Sequence, residues 1–450
     1  MPLLTTAQHS AWQQHLARGE QRAIDAVHPI LVSVTWPIAA TDLLDRFAAV
    51  SRSDAFFWEQ PDQHRALVGV GVANVITTTG VRHITDATEQ WRALVRDALI
   101  VTPDDAPGPV LFGGFTFDPL ATHTRLWRGF SDGSLVVPQW LWRVEGDRAT
   151  MTLSQMVGTD AASPREHVAA VAAEPLLSAA RGLSDAAWLD LVSQSIRHIH
   201  AGDYQKVVLA HAETVQHASP FDLTATLALL RADYPNAATF AVRRGARVFV
   251  GATPERLAWV HGRQMTTMAL AGSARRGATA AEDAQIAARF AQNAKIHDEH
   301  TLVVASIVRD LAAHCVTVSA DSVPRLLRLP NVQHLETPIS GELLSGHSVL
   351  DVVAALHPTP AVGGFPRAEA LAAIRAGEAL DRGWYAGPLG WLDAAGDGEF
   401  VVALRSALVE GTTATLFAGC GIVGESDPVN ELAESRLKLK VMRRALLVDE

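Results

Sequence analysis

Two glutamates and a lysine near the C-terminus have the spacing of one helix face. Glu431, Glu434 and Lys438 stand at positions i, i+3 and i+7, which lie side by side on an α-helix. Exposed ion pairs at this spacing are common and contribute little energy, so the spacing alone is more typical of a solvated face. Another glutamate, Glu299, lies in the segment KIHDEH at residues 295–300 of a second predicted helix. Carboxylates from two helices would make a hard oxygen site suited to Mg²⁺.

A glycine-rich segment, GCGIVG at residues 419–424, lies between a predicted strand and a predicted helix. It matches the dinucleotide-binding pattern G-x-G-x-x-G, but a Rossmann unit also needs a second strand with an acidic residue about 20 positions further on. Only one helix follows the glycines in this sequence, so we expect no nucleotide site here. Bare backbone N–H groups beside a helix N-terminus suit a bound carboxylate instead.

Composition and charge exclude several functional classes. The formal net charge of −10 argues against nucleic acid or an anionic membrane as the main partner, because both require a basic surface. The two cysteines, Cys315 and Cys420, are too few for a disulfide framework. No signal-peptide pattern and no apolar run of about 18 residues is visible. We therefore expect a cytoplasmic protein, and a monomer because no additional assembly segment is apparent.

Strand and helix patterns alternate irregularly along the chain. Before residue 158, VLFGGFTF predicts a strand, and VPQWLWRVEGDRATMTLSQM predicts a hairpin that turns at residues 145–147. After residue 183 come a helix predicted over residues 186–201, a strand KVVLAHAETV and a strand pair in ERLAWVHGRQMTTMAL. A long helix is predicted over residues 280–313, since alanine, leucine and valine recur on one face.

The C-terminal region predicts three strands and a final helix. Breaks at residues 393–398 and 410–411 divide GPLGWLDAAGDGEFVVALRSALVEGTTATLFAGCGIV into an antiparallel meander. Capping side chains and a proline at residues 426–428 then open a helix that ends near Leu447. Meanders with helices grouped between them indicate an α+β protein rather than repeated βαβ units.

Taken in order, the motifs resemble those of the chorismate-utilising enzymes, which include isochorismate, salicylate, anthranilate and aminodeoxychorismate synthases. The resemblance runs from about residue 184 to the C-terminus and is loose before it, where FFWEQPD at residues 56–62 is the main match. So many ordered elements make chance agreement implausible. The elements are YQKVVLA at 204–210, ATPERL at 252–257, LAGSARRG at 270–277, KIHDEH at 295–300, VQHLET at 332–337, HPTPAVGGFP at 357–366, YAG at 385–387, LRS at 404–406, GCGIV at 419–423 and ELAESRLK at 431–438.

The resemblance implies one large α+β domain, with stacked antiparallel β-sheets at the centre and helices outside. Residues 1–183 would be a variable N-terminal part of this fold, and residues 184–450 the chorismate-binding catalytic region. The segment 158–183, rich in alanine, serine and proline, would then be an internal linker.

The resemblance also implies a metal site and a substrate site. Glu299 and Glu434 would hold Mg²⁺, Glu431 would support it directly or through water, and Lys438 would lie near the substrate carboxylate on the metal. Because chorismate is a dianion, a protein of net charge −10 must concentrate positive charge at the site. The other substrate-binding positions are Gly272, Ser273, His334, Tyr385, Arg405, Gly419 and Gly421.

Lys206 matches the family's general base and Glu255 its general acid. Conversion of chorismate to isochorismate adds water at ring C2 and expels the C4 hydroxyl, so it needs a base on one side and an acid on the other. A lysine can act as a base only in its neutral form, which burial and a nearby Mg²⁺ both favour. Glu255 must instead be kept protonated.

Three positions favour isochorismate as the product. Ammonia-using members typically have glutamine in place of Lys206, and aminodeoxychorismate synthases have a nucleophilic lysine in place of Ala271. Members other than isochorismate synthases usually have threonine in place of Ala361. We expect an isomerase that serves menaquinone or siderophore biosynthesis and has no glutaminase subunit. The alternatives are a salicylate synthase and, in a different class, a non-catalytic anion- or nucleotide-binding protein.

Overall fold

Two large β-sheets with helices around them form the protein in a computed structural model. The structure describes residues 4–50, 53–103, 106–158, 183–328 and 332–447. Within these ranges, the side chains of Ala271, Ser273, Lys295, Glu299 and Val332 are not described. Residues 159–182 of the predicted linker lie outside the described residues. The predicted α+β class is confirmed, while the division at residues 183 and 184 stays a prediction.

The strands belong to a twelve-stranded and a ten-stranded sheet. The twelve-stranded sheet contains β1 (Ile30–Pro37), β2 (Ala55–Gln60), β3 (Arg65–Val70), β5 (Leu99–Val101), β8 (Trp140–Glu145), β9 (Arg148–Val157), β10 (Lys206–Gln216), β11 (Ala238–Arg244), β12 (Arg247–Thr253), β18 (Gly364–Phe365), β21 (Ser406–Glu410) and β22 (Thr413–Ile422). The ten-stranded sheet contains β4 (Asn74–Thr78), β6 (Val110–Phe115), β7 (Gly133–Val137), β13 (Arg256–His261), β14 (Gln264–Arg275), β15 (Cys315–Ala320), β16 (Arg325–Arg328), β17 (Val332–Leu343), β19 (Pro388–Asp393) and β20 (Gly398–Val402).

Helices pack on the sheets from outside. The α-helices of the described residues are α1 (Thr6–Ala26), α2 (Leu43–Ala48), α3 (His83–Arg96), α4 (Asp185–Ala201), α5 (Leu223–Asp233), α6 (Ala280–Ala291), α7 (Ala294–Leu311), α8 (Val349–Leu356), α9 (Arg367–Gly377) and α10 (Pro428–Leu446). None of these helices is long and apolar enough to cross a membrane.

Strand order ties the two parts of the chain together. The twelve-stranded sheet runs β18-β10-β22-β21-β12-β11-β2-β3-β8-β9-β1-β5, so β11, from the C-terminal part, pairs directly with β2 from the N-terminal part. Its pairs are antiparallel except β1 with β5, which is parallel and departs from the all-antiparallel expectation. Each part therefore depends on the other for its backbone hydrogen bonds.

The main core lies between the inner faces of the sheets. Phe56 of the twelve-stranded sheet stacks on Phe112 of the ten-stranded sheet, with ring centroids 3.8 Å apart. A second apolar cluster covers the other face of the twelve-stranded sheet, where Phe47 of α2, Leu230 of α5 and Met442 of α10 are buried. Alternating apolar strand residues supply both clusters, as expected for a sheet covered on both faces.

The hairpin β8–β9, the helix α4, the strand β10 and the pair β13–β14 confirm the local predictions for those segments. The prediction of one helix over residues 280–313 is wrong. Gln292 ends α6, and the side chain of Asn293 accepts a hydrogen bond from the Ile296 N–H to begin α7. The side-chain oxygen of asparagine competes with the helical backbone and favours such a cap over a continuous helix.

The prediction of three C-terminal strands in one meander is also wrong. The segment forms four strands, and they divide between the sheets: β19 and β20 pair in the ten-stranded sheet, whereas β21 and β22 pair in the twelve-stranded sheet. The chain changes sheet at residues 403–405, where Arg405 adopts a left-handed conformation with φ 48°. The strand periodicity was visible in the sequence, but the change of sheet was not.

Candidate active site

A cavity of about 430 Å³ opens where β10, β22 and α10 meet. It collects every predicted site residue whose side chain or glycine backbone the structure describes. These residues are Lys206, Glu255, Gly272, His334, Tyr385, Arg405, Gly419, Gly421, Glu431, Glu434 and Lys438. Ser273 lies on β14 and Glu299 on α7, but their side chains are outside the described residues.

Lys206 begins β10 and is 8% exposed. The adjacent strand β22 passes it at Gly421, which pairs with Val208 of β10. A Cβ atom added at Gly421 would stand 2.9 Å from Lys206 Cε, so any other residue there would require the lysine side chain to shift from this position. Pairing of β21 with β22 stops at Phe417, whereas β10 pairs with β22 as far as Ile422. Beyond Phe417, the edge of β22 that faces away from β10 is therefore not paired with β21 and borders the cavity.

Glu255 lies in the connection between β12 and β13. Its N–H donates to Thr253 Oγ1 at 3.3 Å, and its carbonyl accepts from the Val402 N–H at 3.0 Å. Burial raises the pKa of the Glu255 carboxyl to about 7, although the positive charges of Arg405, Lys206 and Lys438 oppose this rise. A carboxyl group with this pKa is substantially protonated at neutral pH and can donate a proton.

Arg405 and Tyr385 supply hydrogen-bond donors to one wall. The carbonyl of Arg405 accepts from the Ala252 N–H at 3.2 Å, which fixes the residue between β20 and β21. Burial raises the pKa of Tyr385, so its phenol stays protonated, and its ring stacks on Phe417 with centroids 5.2 Å apart. A Cβ atom at Gly419 would stand 3.1 Å from the Tyr385 hydroxyl, so this glycine makes room for it.

The helix α10 presents two carboxylates and an ammonium to the cavity. Asp427 caps this helix by accepting from the Val429 and Asn430 N–H groups. Lys438 Nζ lies 2.7 Å from Glu434 Oε1 and donates to the Gly419 carbonyl at 2.8 Å. Burial acts to raise the pKa of Glu434, but the Lys438 charge and hydrogen bond lower it overall.

Glu431 carries the second carboxylate, and burial raises its pKa. Two carboxylates beside one lysine leave a net negative charge, and hard oxygen ligands suit Mg²⁺. Among the side chains that the structure describes, no three histidine, cysteine or acidic groups cluster as a metal site. The side chain of the third predicted carboxylate, Glu299, is not described, and the two that are described, Glu431 and Glu434, supply oxygen donors of the kind that Mg²⁺ prefers.

His334 lies on β17 opposite a bulge in β14. Its Nδ1–H donates to the Gly272 carbonyl at 3.0 Å, and Gly272 adopts φ 72°, a conformation that favours glycine. Burial, together with the charges of Arg405 and Lys438, lowers the pKa of His334 to about 4. The imidazole is therefore neutral near pH 7, with Nε2 as a hydrogen-bond acceptor.

Sequence reasoning missed several polar residues of the cavity, among them Asn293, Arg382, Glu425 and Asn430. Arg382 precedes Tyr385 in the segment DRGWYAG, and Glu378 stands four residues before it, which is ion-pair spacing. That spacing was the available signal. Asn293 could be found only by recognising the break between α6 and α7.

The glycine-rich segment does not form a nucleotide-binding unit. Gly419 and Gly421 lie within β22, which pairs antiparallel with β10 and with β21. A dinucleotide fingerprint needs a parallel βαβ unit in which the glycines follow the first strand. The alternative of a nucleotide-binding protein therefore loses its structural basis.

Comparisons with known proteins agree over almost the whole chain. The model of a family described as "Chorismate binding enzyme" matches residues 18–447. The chain is 34% identical to "Isochorismate synthase MenF" of Bacillus subtilis (strain 168), with 99% of each protein covered. It is 38% identical to "Salicylate biosynthesis isochorismate synthase" of Pseudomonas aeruginosa, with 96% of this chain and 92% of that relative covered.

Solved structures give the same result. The menaquinone-specific isochorismate synthase MenF from Escherichia coli superposes with a TM-score of 0.76 at 28% identity, covering 96% of this chain and 100% of that one. The 2,3-dihydroxybenzoate-specific isochorismate synthase DhbC from Bacillus anthracis, itself described as putative, gives a TM-score of 0.73 at 28% identity, over 90% and 99%. The resemblance inferred from the motifs is confirmed, and the chain belongs to the chorismate-binding enzyme family.

Proposed function

We propose that the chain is an isochorismate synthase, an isomerase that converts chorismate reversibly to isochorismate with Mg²⁺ bound. The names of the relatives over nearly the full length support this activity. The observation that carries it is the meeting of Lys206 and Glu255 in one cavity with donors for two carboxylates. Menaquinone or siderophore biosynthesis is the pathway in which we place the product, again on the names of the relatives.

In this mechanism, Lys206 and Glu255 move the two protons. Lys206 must lose its own proton to act as the base, and its amine then takes a proton from water as the oxygen bonds to ring C2. The two ring double bonds shift, and the C4 hydroxyl leaves as water with the proton of Glu255. One water enters and one leaves, so the substrate and product are isomers. The reverse reaction exchanges the roles of the two groups, which accounts for reversibility.

The cavity supplies positive charge for a dianionic substrate in an acidic protein. Arg405, Tyr385 and the backbone N–H groups at residues 419–421 would hold the enolpyruvyl carboxylate through charge-assisted hydrogen bonds. Lys438 would lie beside the ring carboxylate. His334, neutral at pH 7, would accept a hydrogen bond from the substrate rather than add charge.

We further propose that Glu434 and Glu299 hold Mg²⁺, with Glu431 supporting it directly or through water. A bound Mg²⁺ would neutralise the ring carboxylate and draw electron density from the ring. Lys438 already neutralises part of the Glu434 charge, at 2.7 Å. It therefore limits the repulsion between the substrate carboxylate and the acidic helix face before the ion binds.

Residues at the cavity support isochorismate rather than a related product. Lys206 can deprotonate water, which the glutamine of the ammonia-using relatives cannot do. Ala361 lines the cavity at the position where salicylate-forming relatives usually have threonine. Ala271, on β14, offers no amine nucleophile.

The test is product analysis. Purified protein is incubated with chorismate, Mg²⁺ and ammonium near neutral pH, and products are separated by liquid chromatography with mass detection. We expect a mixture of chorismate and isochorismate that is the same from either direction, and no turnover in excess EDTA. Early enzyme-dependent salicylate and pyruvate would make this a salicylate synthase, and anthranilate would overturn the role of Lys206.

A further inference from the structure

Glu378 and Arg382 form a buried ion pair at the cavity wall. The side chains are 1% and 4% exposed. Arg382 Nε donates to Glu378 Oε2 at 2.8 Å, and Arg382 Nη2 donates to Glu378 Oε1. A bidentate pair of this kind fixes geometry as well as charge. It is therefore built to hold a defined position, which a solvated surface pair is not.

The pair connects three separate parts of the cavity wall. Arg382 Nη2 donates to the Val208 carbonyl of β10 at 2.6 Å, and Arg382 Nη1 donates to the Val362 carbonyl at 3.2 Å. Glu378 Oε1 accepts from the Ala210 N–H, also on β10, at 2.7 Å. The Arg382 carbonyl accepts from the Tyr385 N–H at 2.9 Å. Strand β10, the loop before β18 and the Tyr385 turn thus share one anchor.

Strand β10 carries Lys206 only two residues from Val208. The Val208 N–H donates to the Gly363 carbonyl at 3.1 Å, and the Val208 carbonyl accepts from the Arg382 guanidinium. Val208 is therefore bound both to the loop and to Arg382. On its other face, the guanidinium lies 4.2 Å from the ring centroid of Phe117. A displacement of Arg382 would therefore move Lys206, the loop before β18 and the Tyr385 turn relative to one another.

We propose that the Glu378–Arg382 pair is a positioning device that sets Lys206 for attack on substrate, and that Arg382 is not itself a substrate ligand. Arg382 lines the cavity, and a substrate ligand would be the obvious alternative role for a cationic group there. Its hydrogen bonds go instead to Glu378, Val208 and Val362. The pair acts on turnover through Lys206, and this role rests on the proposed function.

The variants are chosen to preserve folding. Arg382→Met alone leaves a buried carboxylate without a counter-charge, which destabilises strongly, so it is combined with Glu378→Gln. Arg382→Lys keeps the charge but cannot reproduce the planar fork that reaches two carbonyls and a carboxylate. We expect the double variant Glu378→Gln/Arg382→Met and the single variant Arg382→Lys each to lower kcat by about 10- to 100-fold, with little change in KM. This is the effect of misplacing a reacting group by about 1 Å.

A double-mutant cycle with Lys206→Ala tests whether the pair acts through the lysine. If it does, the same changes lower the residual kcat of Lys206→Ala by less than about 3-fold, because residues that act as a unit are not additive. Equal losses in both backgrounds would show a general structural role and overturn the proposal. A higher KM with unchanged kcat would make Arg382 a substrate ligand, which also overturns it.

Arg247→Met is the matched control. Arg247 pairs with Glu410 at 3.1 Å and donates to the carbonyls of Arg125 and Arg128, but it does not line the cavity. We expect this variant to keep the kcat of the wild type.

A second measurement does not depend on turnover. Acylation of Lys206 by acetic anhydride is followed by peptide mass spectrometry in the wild type, the Glu378→Gln/Arg382→Met variant and Arg247→Met. We expect the rate to change only in the pair variant. An unchanged acylation rate of Lys206 in the pair variant overturns the proposal, whichever product the enzyme forms. An altered rate in a protein that forms no isochorismate rejects only the proposed function and supports the positioning of Lys206 by the pair.

Discussion

Glu255→Gln should make the protein more stable at high pH while it destroys activity. In the folded protein, burial raises the pKa of Glu255 from 4.5 to about 7. Between these values the folded state holds a proton that the unfolded state has released, so stability falls as pH rises through this window. At about 1.4 kcal/mol per pKa unit, the full loss above pH 7 is on the order of 3 kcal/mol. Glutamine keeps the volume of the side chain and has no charge to bury.

The magnitude can be measured as a melting temperature. Most of this loss, roughly 2 to 3 kcal/mol, falls between pH 5 and pH 8 by the linkage relation. With about 2.1 cal/mol/K of unfolding entropy per residue, a chain of 450 residues should convert this into roughly 2–3 °C. The Tm of Glu255→Gln minus that of the wild type should therefore grow by this amount from pH 5 to pH 8, in buffers without chorismate or Mg²⁺.

The control is Glu20→Gln, an exposed position on α1 whose Tm difference from the wild type should not depend on pH. The same Glu255→Gln protein should lose about 10² to 10⁴-fold in kcat, the usual contribution of a positioned acid. In the wild type, kcat/KM should fall above about pH 7 as the acid ionises. A Tm difference for Glu255→Gln that stays constant across pH would refute the buried, protonated carboxyl on which the proton-donor role depends.

Two further substitutions probe the neighbours of the base and of the metal. Gly421→Ala places a Cβ atom 2.9 Å from Lys206 Cε, so we expect kcat to fall by about 10- to 100-fold with only a small change in Tm. Unchanged steady-state kinetics would show that Lys206 can move aside without loss of activity. Glu434→Ala should raise the Mg²⁺ concentration for half-maximal activity by at least about 10-fold, because a ligand is lost. A metal titration identical to that of the wild type would remove Glu434 from the ion site.

Local patterns in the sequence were enough to predict several elements that carry the candidate site, whereas the roles of their residues came from the family resemblance. The cap at Asp427 and the spacing of Glu431, Glu434 and Lys438 put these three side chains on one face of α10, and the structure turns that face to the cavity. The run KVVLAHAETV became β10, with Lys206 at its first position. In each case the information lies within a few residues, where propensity and periodicity act directly.

What the sequence could not supply depends on contacts between distant residues. No local pattern says that β11 pairs with β2, or that the chain moves from one sheet to the other before Arg405. The raised pKa of Glu255 likewise comes from burial, which outweighs the opposing charges of three cations on β10, α10 and the 403–405 segment. Arg382 illustrates the same limit, because its partner on β10, Val208, lies 174 residues away in sequence.

The described residues of the N-terminal part pack behind the cavity and do not line it. All the described residues that line the cavity follow residue 205. The contacts that hold the Glu378–Arg382 pair in place, however, include Phe117 of the N-terminal part. This ring packs against the Arg382 guanidinium, and its carbonyl accepts from His357 Nε2 at 2.9 Å, just before the loop that carries Ala361. Packing can be satisfied by many sequences, whereas proton transfer and carboxylate binding require particular groups. The weak motif match before residue 184 and the dense one after it are the expected result of that difference.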